Sequence, residues 1–136
     1  MTVHEHTSQF GWEGDGGLGD RLIAQIIAGA KTATCAPKAS YSAGEWEALQ
    51  GTVGHLVTVT DRLGTPQCNI RMLAVFETTF GHPDPRLVSG EGHGDDDESF
   101  KVANAKAWGG LEADGQPLSD GSVLVAEIFE LVEVAS

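Results

Sequence analysis

The 136-residue sequence has no long hydrophobic run and few basic residues. An apolar stretch of about 18 residues is needed to cross a bilayer, so the chain contains no candidate membrane span. The first residues, Met1 to His6, lack a basic segment followed by an apolar one. We therefore expect no secretory signal, no membrane partner and a cytoplasmic location.

Cysteine is scarce as well. The chain has only Cys35 and Cys68, and neither belongs to a CxxC pair. Two thiols so far apart cannot build a zinc cluster, and in a cytoplasmic protein they are typically free and packed as small hydrophobic groups. We expect no metal and no cofactor.

Lysine and arginine are also few. Eight lysines and arginines stand against 20 aspartates and glutamates, for a net charge of −12. Binding to a long nucleic acid depends on cations that neutralise phosphates, so this balance disfavours RNA unless the few cations share one groove. A small neutral or cationic ligand suits the charge better. We expect a monomer or a homodimer.

The length fits one domain over residues 1–136, with residues 1–9 as a flexible lead-in. Apolar residues recur at helical spacing from Leu18 to Ile27, and Gly29 stands where that helix should end. Residues 31–35 predict a short strand.

Further along the chain, residues 43–49 predict one or two helical turns. Residues 55–61 and 67–79 alternate as two strands around a Gly-Pro turn, which indicates a hairpin. A second helix is expected over residues 99–108 and a closing strand over residues 123–134. These elements predict an α+β fold of about five to six strands, curled into a β-barrel with two main flanking helices.

The end of the first helix carries the first chemical candidate, Lys31 with Thr34. A lysine there is ordinary because it interacts favourably with the negative end of the helix dipole. A partly buried lysine with a lowered pKa could instead act as a base, and a nearby threonine hydroxyl needs such a base to become a nucleophile. The residues alone leave both interpretations open.

The acidic segment from Glu91 to Glu98 is the second candidate. Its last acids could simply stabilise the start of the following helix. Clustered carboxylates could also bind a hard cation, although the spacing does not match an EF-hand. In a third interpretation Glu91 or His93 faces the Lys31 pocket and orients the lysine or carries a proton.

Aromatic residues are the third feature. Trp12 and Trp108 could belong to the core, or they could form a pocket wall suited to a flat ring. In the second interpretation both tryptophans bind substrate, and Thr32 does so beside them.

Several of these segments together resemble the ASCH domain family (activating signal cointegrator homology). The helix that ends in Gly29-Ala30-Lys31-Thr32-Ala33-Thr34 is similar to that family's Gly-x-Lys-Thr-x-Thr motif. Further similar stretches follow in the same order. They are Gly64–Gln67, Phe76–Thr79, Gly90–Asp95 and Val125–Val132.

The resemblance implies a PUA-like barrel whose pocket carries the Lys-Thr-x-Thr segment. Small bacterial members include amidohydrolases that remove the acyl group from N4-acetylcytidine. Their catalytic lysine, second threonine and loop glutamate correspond to Lys31, Thr34 and an acid near Glu91. The family's loop usually reads Glu-Gly-Glu-Gly-Asp, so the third role falls to Glu91 or to His93, which replaces the second glutamate.

The resemblance thus predicts an amidohydrolase that acts on an N4-acylated cytidine or a similar modified pyrimidine nucleoside. Lys31 would activate Thr34, and no metal would be required. Two other functions remain open. One is a non-catalytic module that binds RNA or a modified base, and the other is a ribonuclease.

Overall fold

The computed structural model describes residues 1–112 and 114–135. Ala113 and Ser136, which the predicted single domain includes, lie outside the described residues. Five strands form one mixed sheet. They are β1 (Thr7–Gln9), β2 (Ala33–Pro37), β3 (Leu56–Thr60), β4 (Pro66–Thr79) and β5 (Val123–Val134). Four α-helices accompany them. They are α1 (Leu18–Ile27), α2 (Ala43–Gln50), α3 (Pro85–Gly90) and α4 (Asp97–Ala107).

The sheet has the order β1-β3-β4-β5-β2. All neighbours are antiparallel except β1 and β3, which run parallel. Residues of both edge strands, β1 and β2, border the same cavity, so the sheet is strongly curved. The predicted α+β fold is confirmed, and the curved sheet is compatible with a barrel that is open between its two edges.

The predicted β3–β4 hairpin is present and turns at a side-chain-stabilised loop. Asp61 accepts hydrogen bonds from the backbone N–H groups of Leu63 and Thr65 at 2.9 and 3.0 Å. Gly64 adopts φ +80°, which is strained for any residue with a Cβ. The turn chemistry of this segment thus sets the register of the hairpin.

Two groups of buried apolar side chains fill the molecule. The first lies between α1 and the sheet and includes Ile23, Ile26, Met72 and Phe129. The second joins α3 and α4 to β2 and β5, with Phe100 fully buried at its centre. The helical spacing of apolar residues in α1 reflects the first of these groups.

Two elements were not predicted from the sequence, and β2 begins at Ala33 rather than at residue 31. Thr7–Gln9 forms strand β1 beside β3, within the segment expected to be a flexible lead-in. Residues 85–90 form helix α3, where no element was predicted. Asp84 caps α3 by accepting from the N–H of Arg86 at 2.9 Å, and Pro85 is its first residue. Both elements are too short to show a periodic pattern.

Helix α4 begins at Asp97, two residues earlier than predicted. Asp96 is its N-cap and accepts from the N–H of Ser99 at 3.1 Å, while Asp97 and Glu98 lie in its first turn. These acids therefore stabilise the helix N-terminus, as one interpretation of the acidic segment expected. In the described part of the chain, no helix has the length and apolar character required to cross a membrane.

Candidate active site

A cavity of about 500 Å³ opens between the two edge strands, α1 and α4. That volume lies within the range of small-molecule sites. Residues from distant parts of the chain line it. They include Gln9, Trp12, Lys31, Thr34, Cys35, Tyr41, Glu91, His93, Asn104, Trp108 and Glu127.

Lys31 reaches this cavity because α1 ends in a tight reversal. The N–H of Ala30 donates to the carbonyl of Gln25 at 2.9 Å, and the N–H of Gly29 donates to Ile26 at 3.0 Å. This is a Schellman motif, and it needs the left-handed conformation that Gly29 adopts at φ +81°. The reversal turns Lys31 inward and leaves it 4% exposed.

The end of α3 places Glu91 beside Lys31. The N–H of Thr32 donates to the carbonyl of Gly90 at 2.7 Å. Gly90 packs so closely on β2 that a Cβ there would lie 2.5 Å from the Cβ of Ala33. Only glycine permits this approach, which holds the next residue, Glu91, at the start of β2.

Both oxygens of the Glu91 carboxylate are held by hydrogen bonds. Asn104 Nδ2 donates to Oε1 at 2.9 Å, and Cys35 Sγ donates to Oε2 at 3.3 Å. The side chain of Glu91 is 7% exposed. Two donors on opposite oxygens fix the orientation of this carboxylate.

His93 lies at the rim, on the other side of Glu91. Its Nε2 is 4.0 Å from Glu91 Oε1, and its Nδ1 is 2.8 Å from Ser99 Oγ. The imidazole also packs edge-on against the ring of Phe100. His93 can therefore influence Glu91 but is itself engaged with α4.

Thr34 and Glu127 face each other across strands β2 and β5. They are directly paired in the antiparallel register. Side chains in such a pair project on the same face of the sheet, with Cβ atoms about 5 Å apart. Glu127 is 8% exposed and lines the cavity with Thr34.

Burial controls the electrostatics of the site. Desolvation lowers the pKa of Lys31, although the carboxylates of Glu91 and Glu127 oppose that shift. Desolvation raises the pKa of Glu127 to about 7 against the pull of Lys31. It also raises the pKa of the Cys35 thiol well above its usual value, and the neighbouring Glu91 adds to that shift. The cavity thus favours neutral forms of several titratable groups.

A family model of the ASCH domain matches residues 6–133 of this sequence. The chain belongs to the ASCH domain family. No curated protein matches it in sequence.

Two solved structures share the ASCH fold of this chain. A protein from Enterococcus faecalis superposes with a TM-score of 0.72 at 19% identity, over 98% of this chain and 80% of that one. An ASCH domain from Lactobacillus crispatus superposes with a TM-score of 0.67 at 21% identity, over 96% of this chain and 82% of the other.

The ASCH fold brings six of the seven residues singled out in the sequence to one cavity. Those six are Trp12, Lys31, Thr34, Glu91, His93 and Trp108. Trp12 is 51% exposed at the rim, while Trp108 is half-buried and also packs on the second apolar group. Thr32 is the seventh. It is exposed and lies outside the lining.

Sequence reasoning missed Glu127, Cys35 and Asn104. A signal for Glu127 existed, since it is the one charged residue within the apolar run from Val123 to Phe129. Buried charge in a strand is uncommon without a function or a partner. Cys35 and Asn104 gave no comparable signal, because their roles depend on contact with Glu91.

The cavity holds little positive charge. Lys31 is the only lysine or arginine among its described lining residues. Elsewhere Lys38 contacts Glu77, Arg86 contacts Asp84 and Lys101 contacts Glu98. In residues 1–112 and 114–135, no three His, Cys, Asp or Glu side chains are grouped to hold a metal ion.

Proposed function

We propose that this ASCH domain hydrolyses the amide bond of an N4-acylated cytidine or a similar modified pyrimidine nucleoside. The observation that carries the proposal is the buried amine of Lys31 in one cavity with the Thr34 hydroxyl and the fixed carboxylate of Glu91. A weak hydroxyl nucleophile needs an adjacent base, and a lysine serves as one when desolvation lowers its pKa.

In the first step the neutral amine of Lys31 takes the proton of the Thr34 hydroxyl, whose oxygen attacks the acyl carbon. The carbon–nitrogen bond then breaks as the departing N4 nitrogen takes up a proton, which leaves an acyl ester on Thr34. Water hydrolyses the ester and releases the carboxylic acid. Glu91 stabilises the positive charge that forms on Lys31.

Glu91 fills the third role better than His93. Its carboxylate acts directly on Lys31, and Asn104 and Cys35 hold it in place. The His93 ring is engaged by Ser99 and Phe100. On this basis Glu91→Ala lowers the rate strongly, whereas His93→Ala has the smaller effect.

Charge and shape support a nucleoside rather than a polymer. A single lysine at the cavity offers little to the phosphates of a long RNA. The rings of Trp12 and Trp108 can contact a flat base. The same exposed ring of Trp12 is the feature that favours the alternative, a module that stacks a modified base without chemistry.

The test is to incubate the purified protein with N4-acetylcytidine and longer N4-acyl analogues, and to measure cytidine by chromatography. Thr34→Ala and Lys31→Met should each reduce the rate by about 10²–10⁴-fold. Matched controls lie outside the cavity, namely Thr32→Ala and Lys38→Met, and should retain wild-type rates.

Thermal melts of each variant separate loss of chemistry from loss of fold. If wild-type protein releases no cytidine, the amidohydrolase proposal is wrong. Equal rates for Thr34→Ala and Thr32→Ala would reject threonine as the nucleophile. Tight binding of the nucleoside without turnover would favour the binding module.

A further inference from the structure

Glu127 is a buried carboxyl group for which the lysine–threonine mechanism has no use. It lies in the middle of β5, is 8% exposed and faces the cavity. It also lines a second cavity of about 550 Å³, which shares Ser8, Gln9 and Tyr41 with the first. Its carboxyl group is therefore at the wall where the two cavities meet.

This carboxyl has no fixed partner. Within the described part of the chain no group donates a hydrogen bond to it, and only the charge of Lys31 opposes its desolvation. In residues 1–112 and 114–135 no fully buried side-chain oxygen lacks a hydrogen-bond partner, so the Glu127 oxygens are open to the cavity, where a ligand can contact them. Position and lack of partners both indicate a group that contacts substrate.

Glu91 and Glu127 thus have opposite surroundings in the same site. Glu91 accepts hydrogen bonds from Asn104 and Cys35, which suit a carboxylate. Glu127 is desolvated, and this raises its pKa to about 7. Paired carboxyl groups with contrasting environments commonly divide acid and base roles between them.

Other titratable groups also face Glu127. Lys31 approaches from the end of α1, and Cys35 and Glu91 lie on the β2 and α3 side. His93 lines the first cavity, Tyr41 lines both, and Glu5, His6 and Glu45 line the second. Lys31 is the group that pulls Glu127 toward its ionised form, against desolvation.

We propose that Glu127 is the acid that protonates the leaving nitrogen of the nucleoside. The inference rests on the proposed function. Thr34 lies directly across from Glu127 in the strand register, so an acyl group bonded to Thr34 places its nitrogen next to this carboxyl.

Every proton is accounted for over the acylation and deacylation steps. In acylation Lys31 gains the Thr34 proton, and Glu127 gives its proton to the N4 nitrogen as the carbon–nitrogen bond breaks. In deacylation Glu127, now a carboxylate, takes a proton from the attacking water. Lys31 returns its proton to the Thr34 oxygen, and both groups regain their starting states.

The test compares two substrates with Glu127→Gln. N4-acetylcytidine has a leaving nitrogen that needs a proton, whereas 4-nitrophenyl acetate has a leaving oxygen that does not. We expect kcat/KM on the amide to fall about 10²–10⁴-fold. On the ester, kcat/KM reports acylation alone, where the leaving oxygen needs no proton, so it should change less than about threefold. Thr34→Ala should lose both activities. Glu130→Gln, an exposed carboxyl on the same strand, should change neither.

The pH profile gives a second readout that a merely structural role would not change. Wild-type amide hydrolysis should rise with pH as Lys31 loses its proton, and fall on the alkaline side as Glu127 ionises. Glu127→Gln should lose the alkaline fall. A variant with wild-type amide rates, or with equal losses on both substrates and an unchanged alkaline limb, overturns the inference. A wild-type protein inactive on N4-acetylcytidine would instead overturn the proposed function itself.

Discussion

Replacing Glu127 with glutamine should stabilise the protein, and by more at higher pH. The carboxyl of Glu127 is 8% exposed, and burial raises its pKa from 4.5 to about 7. A raised pKa in the folded state means that folding is favoured while the group is protonated. The stabilisation of the folded state by the protonated Glu127 carboxyl is fully present below pH 4.5 and is lost as the pH rises through about 7.

The size of the effect follows from linkage. Each pKa unit corresponds to about 1.4 kcal/mol, so ionised Glu127 costs the folded state about 3 kcal/mol. Glutamine has nearly the same shape and no charge, so it avoids this cost. The free energy of unfolding of Glu127→Gln should exceed that of wild type by about 3 kcal/mol at pH 8. At pH 5 the advantage should shrink to less than about 1 kcal/mol.

Urea denaturation followed by tryptophan fluorescence at pH 5, 6, 7 and 8 measures this difference. Glu130→Gln is the matched control, because its carboxyl is exposed on the same strand and makes only a long contact with Arg71 at 3.7 Å. It should change stability by less than about 0.5 kcal/mol at every pH. A difference between Glu127→Gln and wild type that does not vary with pH would refute the reasoning.

Two further predictions concern the framework around Glu91. Gly90→Ala should lower the free energy of unfolding by about 1–3 kcal/mol, because its Cβ would lie 2.5 Å from that of Ala33. The control is Gly44→Ala, which has open space around it and should stabilise α2 by about 0.5–1 kcal/mol. Urea denaturation measures both, and a neutral Gly90→Ala would contradict the packing described. Asn104→Ala should lower amidohydrolase kcat about 10-fold or more by releasing Glu91 Oε1. A kinetic comparison with wild type measures this, and an unchanged kcat would exclude Asn104 from positioning Glu91.

Elements with many periodic residues were predictable from the sequence. Leu22, Ile23 and Ile26 repeat at helical spacing because they cover one side of the sheet, and the structure places α1 there. The β3–β4 hairpin was equally clear, since its turn is stabilised by contacts within the same few residues. In these segments the local preference and the tertiary contacts agree.

Short elements were not predictable in this way. β1 has three residues and is held by its pairing with β3, about 50 residues later in the chain. α3 has six residues and is held by its cap at Asp84 and its packing on β2. Neither has enough residues for a pattern, so long-range contacts decide their existence.

The same distinction between local sequence and long-range contacts applies to the residues of the candidate site. Lys31 and Thr34 were found because the reversal after α1 and the motif around it are local in the chain. Glu127 was read only as part of a strand, since its importance comes from the register that places it across from Thr34. Our proposal that Glu91 rather than His93 fills the third role also rests on the contacts of Asn104 and Cys35.

The sequence by itself determined the acidic surface, the main helices, the hairpin and the family of this protein, because each depends on composition or on neighbours in the chain. Only the tertiary structure decided which titratable groups share a cavity and which are desolvated. Those properties arise where α3, α4 and β5 close over Lys31. Burial is a property of the whole packed chain, and it turns an ordinary lysine at a helix end into a candidate base.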